Sequence, residues 1–206
     1  MPKYRLNTNV YEEAQKRIEY LFDEFDRVYI SFSGGKDSTV MYYMVMEEAV
    51  KRGRSVGVLV VDLEGQYKLT IEHMEECLRE YEQNTDVYWV CLPIHLRNAV
   101  SVYDPFWVCW DKAEKENWIR TPPENSIIDE DYFPFFSPGM EFEEFVPEFG
   151  EWYSKGQKTA CLVGIRTDES LNRYRTIASN TKETYKNKQY TTKVTPNVYN
   201  YYPIYD

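Results

Sequence analysis

Residues Ser31 to Ser38 read Ser-Phe-Ser-Gly-Gly-Lys-Asp-Ser, and what flanks them leaves few folds open. Arg27-Val28-Tyr29-Ile30 precedes them, a short apolar run typical of a buried strand. Thr39 to Met46 follows and continues as a helix. A strand that breaks into a Ser/Gly turn and re-enters as a helix aims several backbone N–H groups at one point. The helix dipole adds positive potential there, so the point favours a phosphate. Gly34 and Gly35 carry no Cβ, so backbone can approach an anion closely. Lys36 adds a cation, and Ser33 and Ser38 add hydroxyls. The spacing differs from a Walker A loop, which sets four residues between its first Gly and its Gly-Lys pair.

The remaining chain alternates strands and helices around this turn. Asn9-Val10-Tyr11-Glu12 reads as a capping box, and Val10, Ala14, Ile18, Leu21, Phe22 and Phe25 follow at helical spacing. Val40, Met41, Met44, Val45 and Ala49 continue the second helix to about Gly53. Val56 to Val61 is an unbroken apolar run, as in a strand covered on both faces. A charged amphipathic helix is predicted from about Tyr67 to Tyr81, with Leu69, Met74, Cys77 and Leu78 inward. Val87 to Leu92 and Lys158 to Gly164 are the third and fourth strands, and Tyr201 to Tyr205 a short last one. This alternation implies right-handed βαβ crossovers and a mostly parallel sheet.

Residues 97–150 break the pattern. They hold Trp107, Trp110, Trp118, Pro122-Pro123 and Phe133-Pro134-Phe135-Phe136, too long and too aromatic for a plain connection. They read as an insertion in a single domain spanning 1–206. It either packs over the site, docks a protein partner or a second copy of the chain, or forms an aromatic mini-core of its own.

The sequence contains no apolar run long enough to span a membrane, and Met1 to Arg5 begins no apolar signal core. Cys77, Cys91, Cys109 and Cys161 are widely spaced, with no CxxC, which fits a reducing cytoplasm and argues against a cysteine-held metal or cluster. His73 and His95 have no partner at ligand spacing, so no metal site of the protein's own is predicted. The net charge of −10 argues against nucleic acid as a partner. Its distribution is uneven. Residues 129–151 hold eight acidic and no basic side chains, whereas 166–193 hold seven basic against three acidic. The first stretch reads as a solvated face. The second either attracts an anionic substrate or is ordinary surface scatter.

The fourth strand runs into Gly164-Ile165-Arg166-Thr167-Asp168-Glu169-Ser170, followed by Arg173 and Arg175. In an open parallel sheet, ligands sit beyond the carboxyl ends of the strands where strand order reverses. If strands one and four are neighbours, the two turns face one crevice. Arg166 and Arg173 then have the fork geometry for phosphate or sulfate oxygens. Asp168 and Glu169 either hold Mg²⁺ through oxygen or orient the arginines; an ordinary charged surface loop is the alternative.

Ser-Gly-Gly-Lys-Asp-Ser resembles the PP-loop of the adenine nucleotide α-hydrolase-like superfamily. With Gly164-x-Arg166-x-Asp168-Glu169, the chain is similar to the phosphoadenosine phosphosulfate (PAPS) reductases and the ATP-cleaving small subunit of bacterial ATP sulfurylase. Tyr202-Pro203-Ile204-Tyr205-Asp206 resembles the start of that family's Pro-Ile/Leu-x-Asp-Trp segment. The resemblance implies an α/β fold, a three-layer α/β/α sandwich around a twisted sheet. It also implies an adenine nucleotide held by Ser31, Ser33, Gly34, Gly35, Lys36, Asp37, Ser38, Gly164 and Arg173, with Asp62 near the adenosine. ATP and Mg²⁺ are the implied ligands, and cleavage between the α and β phosphates the implied chemistry. In it Lys36 and Arg166, with Asp168 beside them, would steady phosphoryl charge, and a small anion such as sulfate would be the co-substrate.

The chain departs from the reductases of the family in having no cysteine after Cys161, which itself falls in a predicted buried strand. It also keeps Lys36, which reductases often lose because their ligand has no β and γ phosphates. Both features favour a nucleoside triphosphate over a thiol reduction. A reductase using an external thiol and a non-catalytic nucleotide-binding subunit are the two other readings.

Overall fold

The computed structural model describes residues 7–98, 100 and 102–205. Helix α1 (Val10–Glu24) starts where Asn9 accepts a hydrogen bond from Glu12 N at 2.9 Å, half of the expected capping box. Ala14, Ile18, Leu21 and Phe22 form its buried stripe, as their spacing predicts, and Phe25 is buried just beyond its end. Strand β1 (Arg27–Ser31) leads through the Ser/Gly turn into α2 (Lys36–Lys51), then β2 (Val56–Val61), α3 (Lys68–Glu80) and β3 (Thr85–Val90). A small hairpin, β4 (His95–Arg97) and β5 (Phe106–Val108), precedes α4 (Phe142–Ser154). Strand β6 (Thr159–Val163), the eight-residue helix α5 (Leu171–Ala178), β7 (Thr191–Lys193) and β8 (Val198–Tyr201) complete the chain. Asp206, the last residue of the closing motif, lies outside the described residues.

The main sheet has the order β3-β2-β1-β6-β8-β7, parallel except for β7. This is the α/β architecture expected from the alternation, with β7 and α5 added and with the last strand, Val198–Tyr201, ending where it was expected to begin. Neither was predicted, because Thr191-Thr192-Lys193 is a short polar edge and α5 has a single buried residue, Ile177. Among the described residues no helix is long and apolar enough to cross a membrane.

Side chains alternate across the sheet and are met by helices on both faces. On one face α1 and α2 pack together, and α3 joins α2 through the Tyr42 hydroxyl, which donates to Cys77 O at 3.0 Å. On the other face Tyr29 meets Phe149 and Tyr153 of α4 at 5.4 and 5.2 Å between ring centroids. The Tyr153 hydroxyl donates to Val28 O (3.0 Å) and accepts from Gly57 N (3.1 Å), tying α4 to two strands at once.

That position corrects the insertion boundary at 150. Residues 142–150 belong to a crossover helix, which carries the chain from the β3 edge back to β6 beside β1. The aromatic run before it joins the same layer: Phe133 packs on Phe145, Phe149 and Trp152 at 5.6, 5.9 and 5.0 Å. Phe133 therefore extends the main core, because α4 presents it a ready apolar face.

Leu69 is the other correction. It is 78% exposed, and Ile71 takes the inward position beside Met74, Cys77 and Leu78. Two residues along an α-helix turn the side chain through about 200°, so Leu69 and Ile71 face opposite ways. Val10 and Val40 are likewise exposed; they line an open groove of about 390 Å³ between α1 and α2 and not the core.

Candidate functional site

Strand β1 pairs with β2 on one side and β6 on the other, so the direction in which the sheet is wound reverses between β1 and β6. The turns after these two strands therefore stand side by side at the carboxyl edge. Their contact is close. A Cβ on Gly164 would lie 2.8 Å from Ser38 Cα and 2.9 Å from Ser38 N, so no other residue fits there without moving the first turn of α2.

In the turn itself, Gly34 has φ +69°, in the left-handed region that favours glycine. Gly35 caps α2 with an extended backbone, and Thr39 N donates to its carbonyl at 2.9 Å. The N–H groups of Lys36, Asp37 and Ser38 fall in the first turn, where an α-helix offers no internal acceptor. The hydroxyls of Ser33 and Ser38 lie 3.1 Å apart, and Ser38 Oγ donates to Gly35 O at 2.9 Å. A Cβ on Gly35 would stand beside those hydroxyls, 3.5 Å from Ser33 Oγ and 4.0 Å from Ser38 Oγ. The space left open there, beside two hydroxyls and a helix start, suits the close approach of a phosphate oxygen.

The charges gather round Asp37. Lys36 Nζ lies 2.5 Å from one carboxylate oxygen, and Arg166 Nη1, from the turn after β6, lies 3.8 Å from the other. Lys36 is 77% exposed, so a phosphate can compete with Asp37 for its ammonium. Arg166 is held by its own backbone, whose N–H donates to Glu169 Oε2 at 2.8 Å. The same carboxylate pairs with Arg173, and Ser170 caps α5 by accepting from Arg173 N at 3.2 Å. Glu169 thus ties the backbone at Arg166 to the side chain of Arg173. Asp168 is exposed on this turn. Ser31 ends β1, in register with Leu59 and Val163.

Asp62 sits elsewhere. Its carboxylate is buried, accepting from Trp89 Nε1 (2.8 Å) and Glu64 N (2.9 Å) and pairing with Arg120. Arg120 Nε also donates to Glu64 O, and Glu64, at φ +62°, accepts from Trp110 N and Ile119 N. The Asp62 side chain thus joins the 106–120 segment to the end of β2. Glu64, Trp110 and Arg120 carried no signal in the sequence, because their partners are about 50 residues away.

Among the described residues no group of three or more His, Cys, Asp or Glu is placed to hold a metal ion. The four cysteines are free and buried.

A family model for the phosphoadenosine phosphosulfate reductase domain matches residues 27–206, which includes both turns and every strand among the described residues. The chain belongs to this family. The turn at 31–38, with its resemblance to a PP-loop, lies within the matched PAPS reductase domain. A curated relative, the uncharacterized protein YbdN of Escherichia coli (strain K12), is 40% identical over 210 residues, covering 99% of this chain and 50% of YbdN. The chain thus spans about half the length of that relative. Two solved structures are similar over 99% of this PAPS reductase-family chain. One is an FMN adenylyltransferase of Candida glabrata in complex with FAD and inorganic pyrophosphate (12% identity, TM-score 0.49, 56% of that chain). The other is a PAPS reductase of Candida auris in a phosphate complex (12%, 0.45, 82%). Similarity at that level adds no argument about chemistry.

Proposed function

We propose that this chain binds ATP at the PP-loop and breaks its α–β phosphate bond, transferring the adenylyl group to an anionic acceptor. The observation that carries this reading is the adjacency of β1 and β6, which brings Lys36 and Arg166 to opposite sides of Asp37. An acceptor oxyanion attacks the α-phosphorus. A P–O bond forms, the bond to the β-phosphate breaks, and the electron pair leaves with pyrophosphate. The protein's part is positioning and charge stabilisation: Lys36 and the N–H groups of the first turn of α2 steady the departing phosphates, and Arg166 the α-phosphoryl oxygens. Mg²⁺ bound to the phosphates would screen their charge. An acceptor that is already ionised needs no general base.

The test is incubation with Mg²⁺ and ATP labelled at the α-phosphate, alone and with sulfate. Labelled AMP or an adenylylated product with pyrophosphate is expected, and its loss in Lys36→Ala. ADP as the labelled product would overturn the mechanism. Sulfite release from PAPS with added thioredoxin would favour the reductase reading, for which the buried cysteines offer no thiol of the chain's own.

One observation favours a partner-dependent form of the activity. Val100, Val102 and Tyr103, beside the β4–β5 hairpin, are 97%, 89% and 91% exposed. An apolar loop of this kind is typical of a docking surface. Tight ATP binding with turnover only on adding a partner would be its signature.

A further inference from the structure

A second cavity lies at the same carboxyl edge of the sheet, past the end of β3. It has a volume of about 560 Å³, the size of a small-molecule site. Trp110 and Trp118 form its apolar wall, crossed at 89° with centroids 5.2 Å apart. Lys112, Lys115 and Arg120 also line it, and no acidic side chain does. In a chain with 34 acidic and 24 basic residues, a lining of three cations and, among the described residues, no acid favours an anionic ligand, although Asp62 and Glu130 already pair with Arg120 and Lys112.

Each cation is placed against the wall. Lys115 Nζ lies 5.7 Å from the Trp118 ring centroid, and the Arg120 guanidinium carbon 5.0 Å from that of Trp110. Arg120 keeps Nη1 buried without a hydrogen-bond partner, although its other nitrogens are held by Asp62 and Glu64. Lys112 is paired at the rim with Glu130 at 2.8 Å. Trp110 is 1% exposed and backs the wall, so the half-buried Trp118 is the ring a ligand can meet. An indole beside cations suits a ligand that is both planar and anionic, since ring stacking and ion pairing then act together.

We infer that this cavity binds a small aromatic molecule carrying a phosphate, sulfonate or carboxylate, and that this molecule is the acceptor. The binding stands on the cavity; the acceptor role rests on the adenylylation reading. Cys91 follows β3 and the PP-loop follows β1, two strand spacings or about 10 Å apart across the sheet. A ring-bearing acceptor held in the cavity therefore lies within reach of a nucleotide on the PP-loop.

Pyridoxal 5′-phosphate tests the binding without any turnover. It is an aromatic phosphate whose aldehyde condenses with a nearby lysine, with loss of water, to an imine that borohydride reduces to a stable amine. Peptide mapping then locates it. Saturable modification of Lys115 or Lys112 is expected, unchanged by ATP while ATP protects Lys36. Lys115→Gln should weaken the accompanying tryptophan quenching roughly tenfold, and Trp118→Phe should remove much of it. Unsaturable labelling spread over surface lysines would overturn the proposal. Protection of Lys115 by ATP would also overturn it, because the cavity would then belong to the nucleotide. Saturable labelling in a protein that fails to cleave ATP would keep the binding site and remove only the acceptor role.

Discussion

Gly164 lies against Ser38, so that a Cβ would stand 2.8 Å from Ser38 Cα. This one contact sets how closely the turn after β6 approaches the PP-loop, and hence where Arg166 stands relative to Lys36. The neighbour is backbone and cannot swing aside as a side-chain tip would. Gly164→Ala is expected to cost about 1–3 kcal/mol by overpacking and to lower ATP affinity. Thermal unfolding and nucleotide titration of the variant measure both. Wild-type values for each would show that the two turns are not coupled.

Gly35→Ala should separate folding from binding. Its backbone, φ −72° and ψ 159°, is open to any residue, so the melting temperature should barely change. The added methyl fills the hollow beside Ser33 and Ser38, so ATP affinity should fall roughly tenfold or more, as expected when phosphate hydrogen bonds are displaced. Unchanged affinity by calorimetry would move the phosphate site away from this hollow.

Asp62→Ala leaves Arg120 in a buried setting without its carboxylate. A loss of about 3–5 kcal/mol is expected, the range for breaking a buried pair by removing one partner. Denaturant unfolding measures it, and tryptophan emission should shift because Asp62 also holds the Trp89 indole. A variant of native stability that had lost only ATP binding would instead make Asp62 a ligand of the nucleotide.

The thiols should be inert in the folded chain. Burial pushes Cys109 up to about 11 and Cys161 to about 12, and raises Cys77 and Cys91 as well. The reactive thiolate is therefore scarce at pH 8. A disulfide-exchange reagent should label no cysteine within minutes in buffer and all four in concentrated guanidinium. A rapidly reacting native thiol would reopen the reductase reading.

Glu48 should contribute to acid sensitivity. Burial alone would raise its carboxyl, but Arg52 at 2.5 Å and Lys51 at 3.0 Å outweigh it and hold it below the ordinary 4.5. Since the folded value lies below the unfolded one, this contribution is complete above about pH 4.5 and is lost as pH falls through the folded value. Glu48→Gln should flatten the decline of melting temperature in that window. An unchanged slope would place the acid-sensitive groups elsewhere.

How much could be read beforehand depended on the range of the forces involved. Ala14 to Phe22 and Val56 to Val61 state their burial in local spacing, so α1 and β2 were legible. Leu69 and Ile71 show the limit: both are apolar and two apart, and only the packing of α3 decides which turns inward. The insertion misled at its end for a similar reason. Glu141 to Gly150 continues an acidic, aromatic stretch, and only contact with Tyr29 marks α4 as a crossover helix.

For the candidate site the division is the same. The sequence by itself determined the PP-loop, because a strand, two glycines, a lysine and a helix start are neighbours in the chain and need only local geometry. It also supplied the Gly164-x-Arg166 turn and, from the resemblance, the family. That β6 lies beside β1 and brings Arg166 to Asp37 was decided by tertiary structure, since pairing strands more than 100 residues apart depends on how the whole sheet is covered. Tertiary structure alone also took Asp62 into the core with Arg120 and assembled the Trp110–Trp118 cavity. Buried charge pairs such as Asp62–Arg120, and a cavity lined from Cys91 to Ile128, depend on partners far away in sequence, and no local pattern records them.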